Sequence, residues 1–105
     1  PTGEIEIYVD GYLYKKVKIV EGATETIKQE NGCENELKFT HNGVFMNYSS
    51  CDNQLCVHQG EVNFDNYSTR FLGNSIICLP NRVVISLVTD EEKGESKQEV
   101  VPDAY

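Results

Sequence analysis

The cysteines of this chain have the greatest capacity for chemistry, and three of the four fall in one stretch. Cys51 and Cys56 are separated by four residues, His58 follows, and Cys78 begins a Cys-Leu-Pro-Asn segment, whereas Cys33 lies upstream. Thiolate sulfur and imidazole nitrogen are zinc ligands, two thiols can form a disulfide, and a thiol of lowered pKa is a nucleophile. A chemical site is therefore expected in this stretch.

Four interpretations of these cysteines remain open. A structural disulfide pair leads, because a small domain has little core and a cross-link typically adds about 2–4 kcal/mol to stability. Cys51, near a predicted helix N-terminus, is a candidate redox-active thiol, although redox pairs usually have two intervening residues. Cys51, Cys56, His58 and Cys78 supply donors for tetrahedral zinc in a spacing that is not a standard finger. Plain buried thiols are the fourth interpretation.

Alternation of apolar and polar residues predicts an all-β fold. Residues 4–9 alternate acidic and apolar side chains, and Asp10-Gly11 is a favoured pair for a tight hairpin turn. Many short strands with closely spaced turn signals indicate a small barrel or sandwich. Further strands are predicted over 12–20, 24–30, 35–40, 44–48, 62–64, 76–79 and 82–89.

One helix interrupts the predicted strands. Ser50 is suited to an N-cap and Gly60 to the position after the helix, which predicts a short helix near residues 51–59. Residues 1–89 are predicted to form one domain. Residues 90–105 are charged and lack a hydrophobic period, so we expect a partly disordered acidic tail.

Composition excludes several classes of function. The net charge of −8 repels phosphate backbones and anionic lipid, so nucleic acid is disfavoured as a partner. No apolar run approaches the roughly 18 residues of a membrane span. No glycine-rich phosphate loop and no Gly-x-Ser-x-Gly nucleophile elbow occurs. None of these observations points to an enzyme or to a cofactor.

Three motif blocks follow one another along residues 4–89. They are Ile7-Tyr8-Val9-Asp10-Gly11, then Leu37-Lys38-Phe39 with Asn42-Gly43-Val44-Phe45, then Cys51-x4-Cys56-Val57-His58-Gln59-Gly60 followed by Ile76-Ile77-Cys78-Leu79-Pro80-Asn81. In this order the blocks resemble the motifs of the NusG domain II family. Asp52 stands where the family usually has proline, and Cys33 is additional to the family's three cysteines.

The resemblance implies a fold and two settings. The implied fold is a small closed β-barrel of NusG insert-domain type with one short helix, without enzymatic activity. Standalone members occur in Gram-positive bacteria, usually behind an N-terminal membrane anchor, and a start at Pro1 fits removal of such an anchor. We therefore expect a non-enzymatic, extracytoplasmic accessory or interaction domain, membrane-tethered through a segment absent from this chain, which binds a protein or other cell-surface partner.

Two alternative functions remain open at this point. One is a cytoplasmic, transcription-associated insert domain of NusG type that contacts polymerase or nucleic acid. The other is a thiol redox or metal-binding module built on Cys51, Cys56, His58 and Cys78.

The resemblance also bears on cysteine pairing. If one pair exists among Cys51, Cys56 and Cys78, then Cys33 can pair with the thiol left over. We favour Cys56 with Cys78 and Cys33 with Cys51. The main alternative is Cys51 with Cys56, because a short helix can close over that spacing.

Overall fold

The structure, a computed structural model, describes residues 3–89 and consists almost entirely of β-strands. The predicted all-β class with one short helix is confirmed, whereas the predicted tail over 90–105 lies outside the described residues. No helix within residues 3–89 is long and apolar enough to cross a bilayer. The elements are β1 (Glu4–Val9), β2 (Tyr12–Lys18), β3 (Thr24–Lys28), β4 (Glu34–Phe39), β5 (Gly43–Ser49), α1 (Leu55–His58), β6 (Val62–Asn63), β7 (Ser75–Cys78) and β8 (Val83–Leu87).

The eight strands form two four-stranded antiparallel sheets. The first sheet has the order β2-β1-β8-β7 and the second has the order β3-β4-β5-β6. The strand ladders described for residues 3–89 do not run from one sheet into the other. The architecture is therefore two sheets around a common core, with β1 and β8 pairing over the longest sequence separation.

Alternation along the strands decides which side chains fill the core. In β1, Ile5 and Ile7 are fully buried and lie opposite Leu87 and Ile85 of β8. Successive side chains of a strand point to opposite faces, so the intervening glutamates of β1 lie on the outer face. The same rule places Asn35, Leu37 and Phe39 of β4 on the inner face.

The first hairpin has the predicted turn. Asp10 and Gly11 have φ angles of 57° and 85°, as a two-residue turn between twisted antiparallel strands requires. The turn returns the chain into β2, an edge strand whose side chains are exposed except for the half-buried Val17.

The helix begins later than predicted, and Ser50 is not its cap. The Ser50 hydroxyl instead accepts the Glu34 N–H at 2.9 Å, which ties the chain after β5 to the start of β4. Gln54 precedes the helix in the left-handed region at φ 58° without a side-chain cap, while Asn53 Oδ1 accepts the Leu55 N–H at 2.9 Å. Gly60 follows the helix at φ 77°, as predicted.

A loop over 64–74 leads from β6 into β7, and Arg70 closes it. Its Nη1 donates to the carbonyls of Gly73 at 2.7 Å and Ser75 at 2.8 Å. Burial lowers the pKa of Arg70. The guanidinium therefore fixes the start of β7, the strand that ends at Cys78.

Candidate functional site

Three cysteines from three separate segments meet at one end of the core. Cys51 follows β5, Cys56 lies in α1 and Cys78 ends β7. Their sulfur atoms all lie within 4.8 Å of one another, and the Cys51 and Cys56 sulfurs are 3.8 Å apart. All three side chains are buried. We refer to Cys51, Cys56 and Cys78 as the thiol cluster.

Three buried polar side chains form a hydrogen-bonded set next to the thiol cluster. Asn81 Nδ2 donates to Asn35 Oδ1 at 3.0 Å, and Asn35 Nδ2 donates to Ser49 Oγ at 3.1 Å. The Ser49 hydroxyl donates to the Cys51 sulfur at 3.1 Å and lies 3.5 Å from the Cys78 sulfur. We call Asn35, Ser49 and Asn81 the polar node. It connects the second sheet, through β4 and β5, to the turn between β7 and β8 of the first.

Glutamine side chains hold the helical segment in place. Gln59 Nε2 donates to the Ile77 carbonyl at 2.8 Å, and Gln59 Oε1 accepts the Ile77 N–H at 3.0 Å. Gln59 thereby pairs with the outer edge of β7 as a neighbouring strand would. Gln54 Nε2 donates to the carbonyls of Ser49 and Cys51. These bonds fix Cys56 relative to Cys51 and Cys78.

Two of the clustered thiols have shifted pKa values of opposite direction. Burial raises the pKa of Cys56 to about 12, against a smaller opposing effect of the Ser49 hydrogen bond. Burial also acts to raise the pKa of Cys78, but hydrogen bonds from Ser49, Asn35 and Cys56 outweigh it, so that pKa is lowered. Cys56 therefore loses its proton less readily than an ordinary thiol, and Cys78 loses its proton more readily.

A groove opens beside the thiol cluster, between α1 and the turn after β7. Its volume is about 260 Å³. Leu55 and Leu79 line it although 60% and 78% of their surface remains exposed. The lining is mostly apolar and comprises Leu55, Leu72, Ile77, Leu79 and Pro80, with Asn53, Gln59, Cys56 and Cys78.

The structure brings together three of the predicted site residues and leaves two apart. Cys33 is half-buried after β3 and lies outside the thiol cluster, and His58 is exposed and also lies outside it. The four-ligand set that included His58 is therefore not assembled. The helix α1 begins at Leu55, four residues after Cys51, so Cys51 does not lie at the helix N-terminus as predicted.

No disulfide is present among the four cysteines, all of which lie within residues 3–89. The 3.8 Å between the Cys51 and Cys56 sulfurs is well beyond a disulfide bond of about 2.05 Å. The pairings of Cys56 with Cys78 and of Cys33 with Cys51 stay predictions.

The polar node was missed from the sequence, although one of its members left a signal. Asn35 shares its alternation with Leu37 and Phe39, so a strand over these residues places a polar amide on the core face. Ser49 and Asn81 carry no comparable pattern, because their burial depends on which segments pack over them.

Fold and site together define a small two-sheet β domain with a three-cysteine cluster at one end. The NusG domain II family profile matches residues 2–91, so the chain belongs to that family and the resemblance seen in its motifs is confirmed. No curated protein matches the chain.

Solved structures of similar proteins come from three bacteria. A DUF1312 family protein from Ruminococcus gnavus is 32% identical, with 85% of this chain and 100% of that chain covered and a TM-score of 0.58. A DUF1312 family protein from Enterococcus faecalis is 16% identical, with coverage of 85% and 99% and a TM-score of 0.68. The solution structure of Lin0431 from Listeria innocua is 16% identical, with coverage of 99% and 90% and a TM-score of 0.71.

The paired hydrogen bonds of Gln59 generate a prediction about stability. The Gln59→Ala substitution removes both partners of the Ile77 backbone, and we expect it to lower the free energy of unfolding by about 1–3 kcal/mol. Urea denaturation measures this loss. Asn47→Ala is the control, because it removes a single exposed hydrogen bond to Glu36 and is expected to change stability by less than about 0.5 kcal/mol. Equal losses in the two variants would show that Gln59 does not anchor the helix.

Proposed function

We propose that this chain is a non-enzymatic interaction domain that binds an apolar segment of a protein partner in the groove beside α1. The observation that carries the proposal is the exposure of Leu55 and Leu79 on either side of that groove. Large side chains that stay exposed around a concave apolar surface are typical of binding sites. Their burial by a partner supplies the free energy of association.

The composition of the groove supports binding rather than catalysis. Its lining contains no histidine, aspartate, glutamate or lysine, so an acid–base pair for proton transfer is absent from this part of the described chain. The two cysteines in the lining are buried, with about 1% of each side chain's surface exposed. The polar groups of Gln59 are already used to hold α1 against Ile77.

The net charge of the chain limits which partner segments it attracts. A net charge of −8 attracts basic proteins and repels nucleic acid, because long-range electrostatic fields steer association. The partner segment is therefore an apolar stretch flanked by lysine or arginine.

The proposed location is outside the cytoplasm, at the membrane, through a segment that is not part of residues 1–105. The standalone setting implied by the family supports this location. A domain in that position reaches partners at the cell surface.

Shortening Leu55 and Leu79, the two exposed leucines of the groove lining, tests the binding proposal. We call this pair the apolar rim. A peptide-display library selected against the chain is expected to yield segments with an apolar centre and basic flanks. For a synthetic copy of a selected peptide, Leu55→Ala and Leu79→Ala are each expected to weaken binding about tenfold in fluorescence titrations, a loss of roughly 1.4 kcal/mol. Val20→Ala is the matched control, because Val20 is a similarly exposed aliphatic residue outside the groove lining.

Two outcomes would contradict the binding proposal. One is a selected peptide that binds both rim variants as tightly as the unsubstituted chain. The other is DNA or RNA binding at physiological salt that the rim variants do not alter.

Protease treatment of intact cells tests the proposed location. The full-length protein, tagged at its C-terminus and expressed in its own host, is expected to be digested by added protease while a cytoplasmic marker stays intact. Blotting for the tag measures this. Protection of the tag until the cells are lysed would place the domain in the cytoplasm and overturn the proposed location.

A further inference from the structure

We propose that the thiol cluster of Cys51, Cys56 and Cys78 is a binding site for a thiophilic divalent cation of the Zn²⁺ class, with its fourth position open toward the groove. This inference is independent of the partner-binding proposal. It starts from the distance between sulfur atoms. Tetrahedral zinc with Zn–S bonds of about 2.3 Å holds its sulfur ligands about 3.8 Å apart. The Cys51 and Cys56 sulfurs are separated by 3.8 Å, and the Cys78 sulfur lies within 4.8 Å of both.

The site is held by the fold rather than by a flexible loop. Cys78 ends a strand in the first sheet, and Cys51 directly follows the Ser49–Ser50 segment that is bonded to β4. Cys56 is fixed through α1 by the bonds of Gln59 to Ile77. A cation therefore needs only small movements of three thiol rotamers to reach its bond lengths.

Hydrogen bonds around the sulfurs suit the charged form of the site. Each ligand loses its thiol proton to solvent on metal binding, so one Zn²⁺ with three thiolates carries a net charge of −1. The Ser49 hydroxyl donates to the Cys51 sulfur at 3.1 Å and lies 3.5 Å from Cys78, and Gln54 Nε2 lies 3.9 Å from the Cys51 sulfur. Asn35 Nδ2 donates to Ser49 at 3.1 Å, which orients that hydroxyl toward the sulfurs. Such outer hydrogen bonds position metal ligands and stabilise their charge.

The fourth ligand is a water that enters from the groove. Cys56 and Cys78 both belong to the groove lining, so the thiol cluster borders the groove. His58, the donor that the sequence pattern offered for this position, is exposed and outside the cluster. Three protein ligands with one open position is the arrangement of a site that can exchange its fourth ligand.

Anaerobic metal titration of the reduced chain tests the proposal. We expect Zn²⁺ to bind with one equivalent per chain in competition with a chromophoric chelator. Co²⁺ is expected to give the visible bands of a tetrahedral ion and near-ultraviolet thiolate-to-metal absorbance of three-thiolate intensity. The matched control is Cys33→Ser, which removes the fourth cysteine and is expected to leave both results unchanged.

Variants of the cluster separate metal binding from folding. Cys51→Ser, Cys56→Ser and Cys78→Ser are each expected to lose the one-equivalent binding, with circular dichroism reporting whether they fold. Ser49→Ala keeps all three thiols and is expected to weaken Zn²⁺ affinity about 10–100-fold. Because the Co²⁺ spectrum of the unsubstituted chain counts thiolate ligands directly, the proposal stays testable if a cluster variant does not fold.

Three results would overturn the proposal. They are the absence of binding at one equivalent, a Co²⁺ spectrum with fewer than three thiolates, and a loss of binding in Cys33→Ser as large as in the cluster variants.

Discussion

The hydrogen bond from Asn81 Nδ2 to Asn35 Oδ1 joins the two sheets beneath the thiol cluster, and the arrangement of the site depends on it. Asn35 is fully buried in β4 and Asn81 is 5% exposed in the turn between β7 and β8. A buried amide group without a partner costs about 1–3 kcal/mol. Asn81 supplies the donor for the Asn35 carbonyl oxygen, while the Asn35 amide nitrogen donates to Ser49. This bond fixes the turn after Cys78 against the second sheet.

The polar node also explains why the buried thiol cluster lies next to the exposed Leu79 of the groove. The Ser49 hydroxyl accepts a hydrogen bond from the Asn35 amide and contacts two of the three sulfurs. These contacts link the thiol cluster to β4 and β5. The turn that supplies Asn81 also carries Leu79, whose side chain is 78% exposed at the groove. One short segment therefore anchors itself with its asparagine and presents an apolar side chain to solvent.

The sequence predicted those features that depend on local pattern. The alternation in residues 4–9 predicted a half-buried strand, and Ile5 and Ile7 are its buried residues. Asp10 and Gly11 adopt the positive φ angles that their residue types favour. The helix start was missed because it depends on a tertiary contact: the Ser50 hydroxyl accepts the Glu34 N–H instead of capping the helix.

Tertiary placement also decides the composition of the site. Sequence spacing grouped His58 with Cys51, Cys56 and Cys78, but the fold exposes His58 and brings the three cysteines together without it. The inward amide of Asn35 could be predicted from its alternation with Leu37 and Phe39. Its partners could not, because they come from segments 14 and 46 residues away.

The most direct test of this account is a double-mutant cycle between Asn35 and Asn81, measured by urea denaturation. If the two amides satisfy each other in the core, Asn35→Ala and Asn81→Ala each lower the free energy of unfolding. The double variant then loses less than the sum of the two losses, with a coupling energy of about 0.5–3 kcal/mol. Losses that add to within about 0.5 kcal/mol would show that the two residues act independently. That result would contradict the central place given to this hydrogen bond.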